Sequence, residues 1–101
     1  MTEVKHTVVV AVVNRGFSED VMNAARTAGA HGGTVLHSRS IGSEEAGAWG
    51  LSVQEEKDIV LILAKAEAKV EIMRNITETC GVNSKAQGVV VSLPVDSVMG
   101  I

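Results

Sequence analysis

Two short stretches of this chain are aliphatic at every position rather than at alternate ones. Thr7–Val13 reads Thr-Val-Val-Val-Ala-Val-Val, and Lys57–Ala64 carries Ile-Val-Leu-Ile-Leu in its middle. Short runs rich in β-branched residues make strands. A strand that is apolar on both parities has to be covered on both of its faces. Val8, Val10 and Val12 stand against Val9, Ala11 and Val13 on the first, and Ile59, Leu61 and Leu63 against Val60 and Ile62 on the second. Any fold for this chain must supply two covers for the same sheet.

The rest of the chain offers two helices and two weaker strands. After the turn Asn14-Arg15-Gly16, Ser18 is expected to cap a helix running through Ala28, with Glu19 and Asp20 in its first turn and Gly29 as its stop. Phe17 and Met22 hold the staple spacing across that cap, and Val21, Ala24, Ala25 and Ala28 form its apolar stripe. Thr34–Arg39 alternates Val35, His37 and Arg39 with Leu36 and Ser38, the pattern of a half-polar edge strand. Glu67–Cys80 places Val70, Met73, Ile76 and Cys80 at helical spacing and ends at Gly81. Gly88–Leu93 is the fourth strand, closed by Pro94.

The order β-α-β-β-α-β predicts an α+β, ferredoxin-like sandwich: one domain, residues 1–101, with two helices on one face of a four-stranded antiparallel sheet. That accounts for one cover only. A homo-oligomer packing sheet against sheet is the simplest second cover; loop residues and the C-terminal tail folded over short strands are the alternative.

Composition narrows the function classes. Of 101 residues 46% are hydrophobic and the formal charge is −3, which argues for a folded domain without the basic footprint of a nucleic-acid binder. The topology is shared with RNA-recognition domains, but those stack bases on aromatics of the central strands, and here only Phe17 and Trp49 are aromatic. The single Cys80 makes no internal disulfide, the opening Met1–Lys5 lacks the apolar run of a secretory leader, and no segment approaches a membrane span; a cytoplasmic location without membrane insertion is expected.

Between the second and third strands lies Ser40–Gln54, which has no apolar periodicity. It contains the only Trp, Trp49, the acidic pair Glu44-Glu45, and Gly42, Gly47 and Gly50. Structureless stretches of this length in a compact domain are more often functional than decorative. Trp49, a large amphipathic ring with no place in the sheet-helix core, reads as an anchor for a partner, with Glu44 and Glu45 beside it; packing onto its own assembly is the competing reading.

Several of these stretches together resemble the nitrogen regulatory PII family of trimeric signalling proteins: Ser18-Glu19-Asp20-Val21, the approach Ala28-Gly29-Ala30-His31-Gly32-Gly33-Thr34-Val35, Ile41-Gly42, and the ending Gly88-Val89-Val90-Val91-Ser92-Leu93-Pro94-Val95-Asp96-Ser97-Val98. The resemblance covers nearly the whole chain. It implies a homotrimer that binds an adenine nucleotide (ATP, ADP or AMP) in clefts between subunits, requires no cofactor, and docks through the 40–54 loop onto a membrane transporter or a metabolic enzyme of nitrogen metabolism. By the same resemblance Thr34 approaches the base, Ile41 and Gly42 line the cleft, and Lys85, Ala86, Gln87 and Gly88 take the phosphate-cradling turn. A turn of this kind can aim backbone N–H groups at phosphate, with Lys85 adding charge; the bland reading is that Gly88 only shapes the turn and Lys85 is a solvated lysine.

The chain departs from the family in four places. Val89 stands where members carry a lysine after the last glycine of that turn. Gly100-Ile101 stands where they carry arginines. The loop is several residues shorter, and there is no Tyr to be uridylylated. The departures imply a weaker phosphate grip and a PII-like branch.

Three other groupings need placing. His6, His31, His37 and Cys80 lack the spacing of a metal motif, and no metal is expected. His37 and Arg39 share a strand face beside the loop and suit an anion. Gln87-Gly88-Val89 is similar to part of the acylphosphatase signature, but it enters the last strand instead of preceding the first helix. The reading is therefore a non-enzymatic regulator. A tiled shell or assembly subunit is the alternative, and an acylphosphatase-like enzyme comes third.

Overall fold

The computed structural model of the protein describes residues 5–39 and 56–100. Its elements run β1 (His6–Asn14), α1 (Ser18–Thr27), β2 (Thr34–Arg39), β3 (Glu56–Lys65), a single 3-10 turn (Ala66–Ala68), α2 (Lys69–Cys80) and β4 (Val89–Pro94). The strands form one antiparallel sheet in the order β2-β3-β1-β4. The two doubly apolar strands are its centre and the half-polar β2 is an edge, as their patterns require.

Register fixes which residues share a face. Val10 pairs with both Leu61 and Val91, Val12 with Ile59 and Val89, and Val8 with Leu63 and Leu93. Thr34 stands opposite Leu61, and Leu36 opposite Ile59. The other parity holds Val9, Ala11, Val13, Val60 and Ile62, all fully buried under the helices. Against them pack Val21, Met22 and Ala25 of α1 and Ile72, Ile76 and Cys80 of α2, one continuous core. Each such aliphatic side chain removed from water contributes on the order of 1.5–3 kcal/mol. The helices also meet directly, with Asn75 Nδ2 donating to the Ala24 carbonyl at 3.2 Å.

Helix ends differ from expectation at their starts. Ser18 is the first residue of α1, not its cap. Phe17 holds the cap position without a side-chain hydrogen bond, and its carbonyl accepts from Val21 N–H at 3.1 Å. Phe17 packs on the core instead, so apolar burial replaces the polar cap there. The second helix begins at Lys69, because Ala66–Ala68 winds as the tighter 3-10 turn that often precedes an α-helix. The end of α1 is as expected. Gly29 is left-handed at φ +105°, and the N–H groups of Gly29 and Ala30 return to the Arg26 and Ala25 carbonyls in a Schellman closure.

The face without helices is open in the single chain. Leu36 is 47% exposed, Leu63 42%, Val91 46% and Leu93 55%. No described helix is long and apolar enough to cross a membrane.

Candidate functional site

The chemistry gathers at one end of the sheet, where β1 stops, β3 starts, β2 runs out toward residue 40 and the turn before β4 arrives. Asp58, on β3, is 1% exposed. Its Oδ2 accepts the Gly16 N–H at 3.0 Å, and its Oδ1 lies 2.7 Å from His37 Nδ1 across the strand pair. Gly16 reaches that carboxylate in a left-handed turn, φ +99°. The His37 side chain is 74% exposed, so a buried carboxylate orients an imidazole whose other nitrogen faces outward.

Beside this pair, Arg15 Nη1 donates to Glu56 Oε2 at 2.6 Å, and Arg39 Nη2 lies 3.9 Å from the other oxygen of Glu56. The hydrogen bond from Arg15, and then its charge, hold the Glu56 carboxyl below its ordinary value, and Glu56 in return raises Arg15. On the opposite face of the sheet, Lys57 Nζ donates to Asn14 Oδ1 at 2.7 Å, and both side chains are buried. Burial lowers the Lys57 ammonium from its usual value. Asn14 Nδ2 donates onward to the Lys85 carbonyl at 3.0 Å, and Asn14 N–H to that of Ala86 at 2.9 Å. Asn14 thereby ties the root of β3 to the turn before β4.

In that turn Ser84 N–H and Oγ both bond to the Gly81 carbonyl, Gln87 sits at φ +47°, and Gly88 N–H donates to the Cys80 carbonyl at 2.8 Å. Gly88 has its own packing reason. A Cβ there would overlap the Cys80 carbonyl oxygen and sit 2.8 Å from Val13 Cγ1. Gly33 is alike, since a Cβ would stand 2.8 Å from the Leu61 carbonyl oxygen and 2.9 Å from Met22 Sδ.

Of the residues singled out by sequence, His37, Arg39, Lys85, Gln87 and Gly88 lie at this end. Lys85 is exposed, and Val89 is half-buried opposite Val12 on the open face. Thr34 is set apart. It sits on the open face five residues up β2 from Arg39, about 17 Å away at the rise of a strand. The β2 and β4 edges are three strand spacings apart, about 14 Å, so one subunit does not close a pocket over both. Ile41, Gly42, Glu44, Glu45 and Trp49 lie outside the described residues. Asn14, Arg15, Glu56, Lys57 and Asp58 are the residues that sequence reasoning passed over. Their signal was present: Glu56-Lys57-Asp58 is charged at the head of an aliphatic strand, and Asn14 stands at the foot of another.

Among the described residues no three His, Cys, Asp or Glu side chains gather to hold a metal. Cys80 is buried, and burial, with a smaller effect of Asp20, pushes its thiol up, away from nucleophilic character.

No family model and no curated protein matches the sequence. Solved structures do share its fold. The PII protein of Arabidopsis thaliana, solved bound to citrate, superposes with a TM-score of 0.73 at 21% identity over 98% of this chain and 82% of that one. A functionally unknown protein from Pediococcus pentosaceus superposes with a TM-score of 0.69 at 14% identity over 98% of this chain and all of the other. The likeness is one of fold: a βαββαβ sandwich of the PII kind.

Proposed function

We propose that this chain is a PII-like regulatory subunit and not an enzyme. It assembles as a homotrimer through its open sheet face, takes a small anionic effector at the sheet end around His37, Arg39 and Lys85, and presents residues 40–54 to a regulated protein. The observation that carries the reading is where the sheet leaves its chemistry. The 40–54 segment is rooted between Arg39 and Glu56, beside a buried Asp58 that aims His37 outward and an Asn14 that joins the same root to the turn before β4. A ligand that changes Arg15, Arg39 or Lys85 acts on the base of the segment that would meet the partner.

The fold likeness to a PII protein supports the class, and the citrate held by that protein supports an anion. An adenine nucleotide is the first effector to test. The chain offers few fixed cations for a triphosphate, since Arg15 and Arg39 share Glu56 and Val89 supplies none. AMP or ADP is therefore expected above ATP. Each absent charge-assisted hydrogen bond removes about 1.5–3 kcal/mol.

The test is a thermal-shift panel of ATP, ADP, AMP, cyclic nucleotides, citrate and 2-oxoglutarate, followed by calorimetry on Lys85→Ala. Weakened binding in that variant supports the site, and unchanged affinity removes Lys85 from it. A pull-down with Trp49→Ala separates docking from packing. A docking arm loses its partner and keeps its melting temperature; a packed Trp49 does the reverse. Sheets or larger arrays under light scattering would favour the shell-subunit reading instead.

A further inference from the structure

The opposite end of the sheet carries a cavity of about 720 Å³ that the regulatory reading does not use. It opens where β1 begins, β4 ends and α2 starts. Lys5, His6 and Lys69 line it, with Ser92 and Ser97, while Ala66, Pro94, Val95 and Val98 make an apolar wall. Its lysines give it a sign. Among the described residues neither Lys5 nor Lys69 closes an ion pair, so two lysines without ion-pair partners line one cavity. The helix start adds no free donor here, since Ala66 N–H is bonded to the Lys5 carbonyl at 2.9 Å and Lys69 N–H to the Ala66 carbonyl. Among the described lining residues the one carboxylate, Asp96, is exposed and ion-paired to neither lysine.

We propose that this cavity is a second small-molecule site, taking a small organic phosphomonoester. Lys5 and Lys69 would hold the phosphate as point charges with Ser92 as a hydroxyl donor, and the organic group would lie on the Pro94-Val95-Val98 wall. The chemistry selects this class. Two lysines and two hydroxyls together suit a compact dianion. The volume lies within the usual range for ligand sites and far exceeds a bare phosphate, so room remains for the organic group. Of the cavity's strand residues, Thr7, Ser92 and Pro94 belong to the parity of the helix-covered face and His6 to that of the open face, so an assembly through the open face leaves most of the cavity accessible.

The experiment is amide chemical-shift titration of the full chain with ribose 5-phosphate, and with inorganic phosphate for comparison. The expected result is saturable shifts at Lys5–Thr7, Ala66–Lys69 and Val95–Val98. Ribose 5-phosphate should bind more tightly than inorganic phosphate. Lys5→Ala with Lys69→Ala should weaken binding by about tenfold or more, Lys85→Ala should leave it unchanged, and Asp96→Asn should tighten it by removing the opposing charge. A merely structural Asp96 would give no tightening. Shifts that do not saturate, shifts confined to the Lys85 end, or affinity equal in the double-lysine variant would each overturn the proposal. The Lys85 arm also keeps this site separable from the effector site proposed above.

Discussion

Asp58 is the residue on which the charged end of the sheet depends most. It sits 1% exposed at the start of a strand whose other inward residues are aliphatic, and both of its oxygens are engaged. Asp58→Ala leaves the Gly16 N–H and His37 Nδ1 without their partner, and is expected to cost about 1–3 kcal/mol in urea unfolding. A variant as stable as the parent would contradict the role. Glu56 gives a pH test. Its carboxyl is lowered from 4.5, first by the Arg15 hydrogen bond and then by Arg15 charge. Folding therefore gains from ionised Glu56 above pH 4.5, and that gain is lost as pH falls through the depressed folded-state pKa. A side-chain NMR titration should show a midpoint below 4.5 that rises toward it in Arg15→Ala. A midpoint that stays put would mean the ion pair is not held in solution. Both groups are exposed, so the effect on stability is slight.

At the scale of elements, the two glycines before β2 and β4 are held by packing. Gly88→Ala must displace the Cys80 carbonyl or Val13, and overpacking of this kind costs about 1–3 kcal/mol. The expected outcome is a lower melting temperature whether or not a ligand is present; an unchanged melting temperature with lost ligand binding would return Gly88 to a phosphate-cradling role. The same elements show what was legible in the sequence. Val8–Val13 and the Ile59–Leu63 run announce central strands because every position is aliphatic, and Ile76 and Cys80 announce a helix face by spacing. Val70, read as part of that face, is 57% exposed, and Ile72, one turn before Ile76 and passed over in the spacing, is fully buried instead. The chain start of each helix was less legible, because Phe17 caps by burial and Ala66–Ala68 winds tightly, and neither leaves a polar signature. The site was half legible. His37 and Arg39 were visible on a strand face, but Asp58 and Asn14 matter through partners on other strands, Gly16 and Lys85, and one-dimensional spacing carries no trace of those.

For the whole molecule the decisive feature is the sheet face that no helix covers. Val10 and Leu61 are half-buried even in the single chain, so charging them tests folding and assembly at once. Leu63 and Leu93 are exposed there and test assembly alone. Leu93→Lys with Leu63→Lys is expected to convert the assembly to monomers under light scattering, with the circular dichroism of a folded α+β chain, because burying a charge without a partner at an interface is costly. A parent protein that is already monomeric at micromolar concentration, or a variant that keeps the parent mass, would end the open-face interface.

The strand order has a further consequence, in time instead of space. β1 is made first, yet it lies inside the sheet, with β3 on one side and β4, the last element, on the other. Val10 must wait for both Leu61 and Val91 before its hydrogen bonding is complete. Pairings this distant in sequence slow the search for the native state, and until Glu56–Lys65 has been made the chain carries the almost wholly aliphatic Thr7–Val13 with nothing yet made to pair it. A nascent chain stalled before β4 presents an open apolar edge, which is the form most prone to aggregate. The same aliphatic run that builds the sheet therefore makes its own synthesis the most hazardous stage of this protein's life.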